Sequence, residues 1–70
     1  MNDYMWTGTK GRYWIHFDKQ PDGVRAEASG PMDDVAGVAN SVGPRVARKT
    51  ADTAEKAKEL LIAELKRLTA

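Results

Sequence analysis

The sequence predicts a small α+β domain: an antiparallel sheet of three or four strands, begun as an N-terminal meander, packed by one C-terminal α-helix. Three observations carry that expectation. The aromatic residues Tyr4, Trp6, Tyr13, Trp14 and Phe17 all fall within the first 17 positions, and every leucine follows position 59. Aromatic side chains suit a pleated, half-buried surface, whereas Leu, Ala, Glu and Lys favour helix. Apolar residues alternate with polar ones across 12–28 and then recur at helical spacing across 54–68. The length of 70 residues allows one domain with one core, so 1–70 reads as a single domain.

The clearest strand is Arg12 to Asp18. Period-two reading places Tyr13, Ile15 and Phe17 on one face and Arg12, Trp14, His16 and Asp18 on the other. Gln20-Pro21-Asp22-Gly23 then supplies a turn: proline presets φ, Asp bonds its own backbone and Gly tolerates positive φ. Val24 to Ala28 returns with Val24, Ala26 and Ala28 on the apolar face and Arg25 and Glu27 on the polar one. Upstream, Tyr4-Met5-Trp6-Thr7 reads as a strand joined to Arg12 through Gly8-Thr9-Lys10-Gly11. The strands of the meander therefore lie within 3–28.

The middle carries two readings. Val35, Val38, Ala39 and Val42 have helical spacing, Pro31 suits a first helical turn, and Asp33 and Asp34 suit its positive end, which together predict a short helix within 31–42. The alternative is an ordered loop over one sheet edge. Gly43-Pro44 ends either. From Arg45 to Ala51 the residues alternate as in a fourth strand over 45–50, and a helix running from Pro44 to the end competes with it. The last segment reads as a helix over 53–68, with Asp52 as the N-cap and Glu55 three residues on, in the manner of a capping box. Ala54, Ala57, Leu61, Leu65 and Leu68 form its apolar stripe, flanked by Leu60 and Ile62.

Composition narrows the function. With no cysteine there is no disulfide scaffold, thiolate nucleophile or Cys-ligated metal. Lys plus Arg number 11 against 10 Asp plus Glu, which lacks the strong basic signature of a nucleic-acid wrapping protein. No stretch approaches a membrane span, and Met1 to Trp6 lacks the basic and apolar regions of a signal peptide, so the expected compartment is the cytoplasm and no membrane partner is expected. Gly8-Thr9-Lys10-Gly11 lacks the spacing of a phosphate loop, and Asp33-Asp34 lacks further ligands, so no cofactor or metal is expected. His16, the single histidine, has Asp18 two residues on along the same face, but a general base also needs a pocket. A surface histidine on a non-enzymatic protein is the reading that follows.

The face opposite the helix carries Arg12, Trp14, His16, Arg25 and Glu27. A tryptophan among cations has three readings. One is a β-ribbon in the major groove of duplex DNA, where arginine pairs with guanine. The second is a protein interface, for which Trp and Arg are typical anchors. In the third, the middle segment folds back and buries Trp14. Arg45, Arg48 and Lys49 form a further basic cluster, read as phosphate contacts or as a solvated connector.

Three antiparallel strands followed by the alanine-rich helix beginning Thr50-Ala51-Asp52-Thr53-Ala54-Glu55-Lys56-Ala57 resemble the integrase arm-binding DNA domains, and the same layout resembles the small antitoxins of the HicB type. The first resemblance implies DNA read through the exposed sheet face, with Arg12, Trp14 and Arg25 where such contacts are made. The first expectation is thus a DNA-binding or regulatory module using Arg12, Trp14, His16 and Arg25, with Arg45, Arg48 and Lys49 on phosphates. The alternative is a protein-interaction module of inhibitor, antitoxin or adaptor type using the same face. A chain this short, without disulfide or metal, is either a marginal monomer or buries a further apolar face in a homodimer or on a partner.

Overall fold

The computed structural model describes residues 2–32 and 45–70. The chain runs β1 (Tyr4–Gly8), β2 (Gly11–Gln20), β3 (Gly23–Met32), β4 (Arg45–Ala51) and α1 (Ala54–Leu68). The four strands form one antiparallel sheet in sequence order, β1-β2-β3-β4. The predicted α+β class, the meander and the C-terminal helix are all present. Pro31 and Met32 extend β3 and so open no helix; the rest of the short helix weighed for 31–42 lies outside the described residues.

The β2–β3 hairpin follows the turn chemistry. Gln20 pairs with Gly23 across Pro21-Asp22, and the register carries Phe17 opposite Ala26 and Ile15 opposite Ala28. Gly23 sits beside β4, where a Cβ would run into the backbone carbonyl oxygen of Ala51. No side chain fits where the β2–β3 turn meets the end of β4.

The 45–51 segment is strand, not helix. Arginine, lysine and alanine there suit a helix locally, but the free edge of β3 offers a row of unpaired backbone groups that β4 satisfies along its length. One residue of β4 is extra. Ala47 pairs with Ala28 while Arg45 pairs with Ser29, so Val46 is a bulge.

The helix covers one sheet face. Tyr13, Ile15, Ala26 and Ala28 are buried against Ala57, Leu61 and Leu65, with Trp6, Phe17, Ala47, Ala51 and Ile62 packed around them. Alanines on β3 and at Ala57 leave no bulk between helix and sheet, and the leucines fill the space toward Tyr13 and Ile15. Leu68, expected in the same stripe, is about half exposed at the last turn. The helix end is tied down instead by polar groups: Thr9 Oγ1 donates to the Thr69 carbonyl (3.2 Å), and Thr69 Oγ1 donates to that of Leu65 (2.7 Å).

The N-cap is Thr53 and not Asp52. The Thr53 side chain accepts from the Lys56 N–H at 3.2 Å with its backbone extended, and Glu55 lies in the first turn, where it favours the positive end of the helix dipole. Asp52 is spent on leaving β4. Thr53→Ala is therefore expected to lower stability by about 0.5–2 kcal/mol. Asp52→Ala should change it much less, and urea melts of the two variants read the difference.

Candidate functional site

The candidate site is the sheet face away from α1. Strand alternation turns Arg12, Trp14, His16 and Asp18 of β2 to this side, together with Arg25, Glu27 and Ser29 of β3, the residues opposite them. Met5 lies directly across β1 from Trp14, on the same face. The bulge at Val46 adds a cation that simple alternation would have turned away: Arg45 joins Arg48 and Thr50 here, because Arg45 pairs with Ser29 and Arg48 with Glu27.

Six of the seven residues expected from the sequence therefore share one face: Arg12, Trp14, His16, Arg25, Arg45 and Arg48. Lys49 does not. It pairs with Ala26 on the helix side, where its charge acts on the Glu64 carboxylate of α1. Arg45, Arg48 and Lys49 are thus no single cluster, since adjacent residues of a strand point to opposite faces.

Acidic side chains interleave with the cations of this face. Asp3 meets His16 Nδ1 at 3.1 Å, and Asp18 meets His16 Nε2 at 3.3 Å. Asp18 also lies 3.4 Å from Arg25 NH2. The Arg25 Nε is 3.1 Å from Glu27 Oε1, an ion pair out of hydrogen-bond alignment, and Glu27 Oε2 takes Arg45 Nε at 2.6 Å. The result is one alternating chain, Asp3–His16–Asp18–Arg25–Glu27–Arg45, running from the β1 side of the sheet to β4. The pairs of His16 with Asp3 and Asp18 are exposed and add little stability, whereas Glu27 is largely covered between Arg25 and Arg45. Together the pairs hold the long side chains in place and balance most of the positive charge of the face. Arg48 stands outside this chain, with no ion pair among the described residues.

Trp14 is half-buried beside this chain, its ring centroid 6.0 Å from that of His16. Trp14, His16, Asp18, Glu27, Ser29 and Arg45 line a shallow hollow of about 260 Å³. Whether the middle segment covers Trp14 lies outside the described residues. Asp3, Met5 and the ion-pairing role of Glu27 were missed from the sequence, although the alternation Asp3, Met5, Thr7 along β1 puts all three on this side.

The hydrogen bond that His16 Nδ1–H donates to the Asp3 carboxylate raises the His16 pKa above its ordinary 6.5, helped by the negative charge of Asp3 and of Asp18. A raised folded-state pKa means that the folded chain prefers the imidazolium. The stabilisation is full below the unfolded value of about 6.5 and is lost as pH rises through the folded pKa. Because His16 is the only histidine, one imidazole resonance reads this directly. Its midpoint should lie above 6.5 and move back toward that value in Asp3→Asn.

No group of three or more metal-ligating side chains occurs among the described residues, and no helix among them is long and apolar enough to cross a membrane. In comparison with known proteins, the chain matches no family model, and no curated protein or solved structure shows significant similarity to it. The resemblances to integrase arm-binding domains and HicB-type antitoxins therefore rest on element order alone, and the fourth strand departs from the three-stranded pattern.

Proposed function

We propose that this chain is a non-enzymatic binding module that docks a protein partner on the open face of its sheet, with Trp14 and the adjacent Met5 as its apolar anchors. The observation that carries this reading is the alternating chain of charges. An arginine reads guanine by presenting its guanidinium fork to the base edge. Arg25 and Arg45 are instead engaged with Asp18 and Glu27. What remains apolar on the face is an indole on β2 and a thioether beside it on the edge strand, bordered by the paired charges of β2, β3 and β4. That arrangement matches a protein interface, where an apolar or aromatic anchor sits inside a polar rim.

Duplex DNA is the second reading, favoured by Arg48, which shares the face and has no ion pair among the described residues. Lys49, on the helix side, could not join it on the same phosphate track. Salt separates the two. Binding through several phosphate contacts falls steeply as salt rises, and binding through an apolar anchor does not. We expect labelled protein titrated with mixed-sequence duplex DNA to show only small shifts at low salt, gone at moderate salt. Peptides selected against the immobilised chain from a displayed library should instead shift Met5, Trp14 and their neighbours at both salt concentrations. Strong DNA binding centred on Arg12, Arg25 and Arg48 would reverse the order of the readings.

A further inference from the structure

The two edges of the sheet differ in kind. An exposed edge strand presents unpaired N–H and C=O groups, and proteins discourage pairing there with charged side chains and bulges. The β4 edge has both devices: Arg45, Arg48 and Lys49, and the bulge at Val46. The β1 edge has neither. Tyr4-Met5-Trp6-Thr7-Gly8 carries no charge and pairs with β2 without a bulge, and no strand among the described residues covers its outer side. Its side chains are also under-covered. The helix packs across β3 and β4 and only grazes β1, so that Tyr4 on its side of the sheet is about 40% exposed, as is Met5 on the open face.

We propose that two copies of this chain associate through β1, pairing antiparallel about a two-fold axis at Trp6 to give one eight-stranded sheet with both helices on the same side. Backbone geometry fits this register. Thr9-Lys10 is a two-residue turn, so Gly8 and Gly11 close the hairpin as a hydrogen-bonded pair. Alternation from there turns the N–H and C=O of Tyr4 and Trp6 toward β2, and those of Met5 and Thr7 outward. Centring on Trp6 places Met5 opposite Thr7 of the second copy, which satisfies these outward groups in both directions. Trp6 then meets Trp6 as a close non-hydrogen-bonded pair, the kind of position where aromatic pairs contribute most.

The side chains are self-complementary in the same register. Tyr4 falls opposite Gly8 of the second copy, at a hollow of about 400 Å³ lined by Trp6, Gly8, Thr9, Lys66 and Thr69 among others. The Trp6 ring takes the place of a Gly8 side chain, where a Cβ would collide, and forms one wall of that hollow. The two-fold symmetry closes the assembly at two copies. The open faces of both copies stay clear, so this association does not depend on the partner proposed above.

Sedimentation of the whole chain over rising concentration tests the proposal. The mass should climb from 7.7 kDa toward twice that value and stop there. Thr7→Pro removes only an outward N–H, which an edge strand tolerates, and should hold the mass at that of the monomer with an unchanged circular dichroism spectrum. Tyr4→Ala should weaken association at least tenfold, because it leaves the hollow beside Gly8 of the second copy unfilled at both ends. A chain that stays at 7.7 kDa at millimolar concentration overturns the proposal. So does a dimer that Thr7→Pro or Tyr4→Ala leaves intact.

Discussion

Leu61→Ala and Leu65→Ala should each remove about 2–5 kcal/mol of stability, the range for emptying a buried leucine site. Both side chains are fully buried, and with Ile15 they are the largest such side chains among the described residues. Their surroundings explain why little relaxation is available. They pack against Tyr13, Ile15, Ala26 and Ala28 on a sheet whose strands are held by ladder hydrogen bonds, so that the strands cannot close in on the vacated volume. A domain of 70 residues has only a few kcal/mol of stability to lose, so either variant should be largely unfolded at room temperature. Leu60→Ala is the control. Leu60 is 43% exposed on the same helix, and its truncation should cost far less. Urea denaturation followed by helical circular dichroism measures all three, and a Leu65→Ala chain that melts with the parent would mean that the helix does not pack as described.

Trp14→Ala should weaken binding of a selected peptide by about 2 kcal/mol or more, roughly thirtyfold, the loss typical of a central interface anchor. The expectation rests on position. Trp14 lies between Met5 and Ser29 in the sheet and lines the hollow that Glu27, Asp18 and Arg45 close. Arg48→Ala should cost under about 1 kcal/mol, because an exposed charge at the rim gains little from a partner. Neither effect should change much with salt. Equal, strongly salt-dependent losses in both variants would point to phosphate contacts and to the DNA reading. Trp14 is only half-buried, and stability should survive its loss better than that of Leu61. The binding measurement can therefore be made on folded protein.

How far the sequence reached differs by element, and the differences have physical causes. The β2–β3 hairpin was legible because two independent local signals agree: the Pro21-Asp22-Gly23 turn, and an alternation that puts Tyr13, Ile15, Ala26 and Ala28 on one side. The helix was legible from its 3.6-residue period and its helix-forming composition, though its cap was displaced by one residue. Asp52 and Thr53 are both good caps, and where β4 ends decides between them. The contact of His16 with Asp18 was legible too, since residues two apart on a strand share a face. Asp3, the other partner of His16, sits thirteen residues away and needs the β1–β2 register to be seen.

The sequence by itself determined the α+β class, the β2–β3 hairpin, the C-terminal helix and the set of aromatic and cationic residues on the face of β2 and β3, because each depends on local periodicity and turn chemistry. Only the tertiary structure decided the state of 45–51, where composition suits helix and strand alike and the unpaired edge of β3 settles the choice in favour of β4. It also decided the make-up of the site. The extra residue at Val46 turns Arg45 toward Glu27 and leaves Lys49 behind the sheet, and register rather than residue type joins His16, Arg25 and Arg45 with three carboxylates into one alternating chain. A one-residue slip reverses every side chain beyond it, and nothing local in Arg45-Val46-Ala47-Arg48-Lys49 marks where that slip falls.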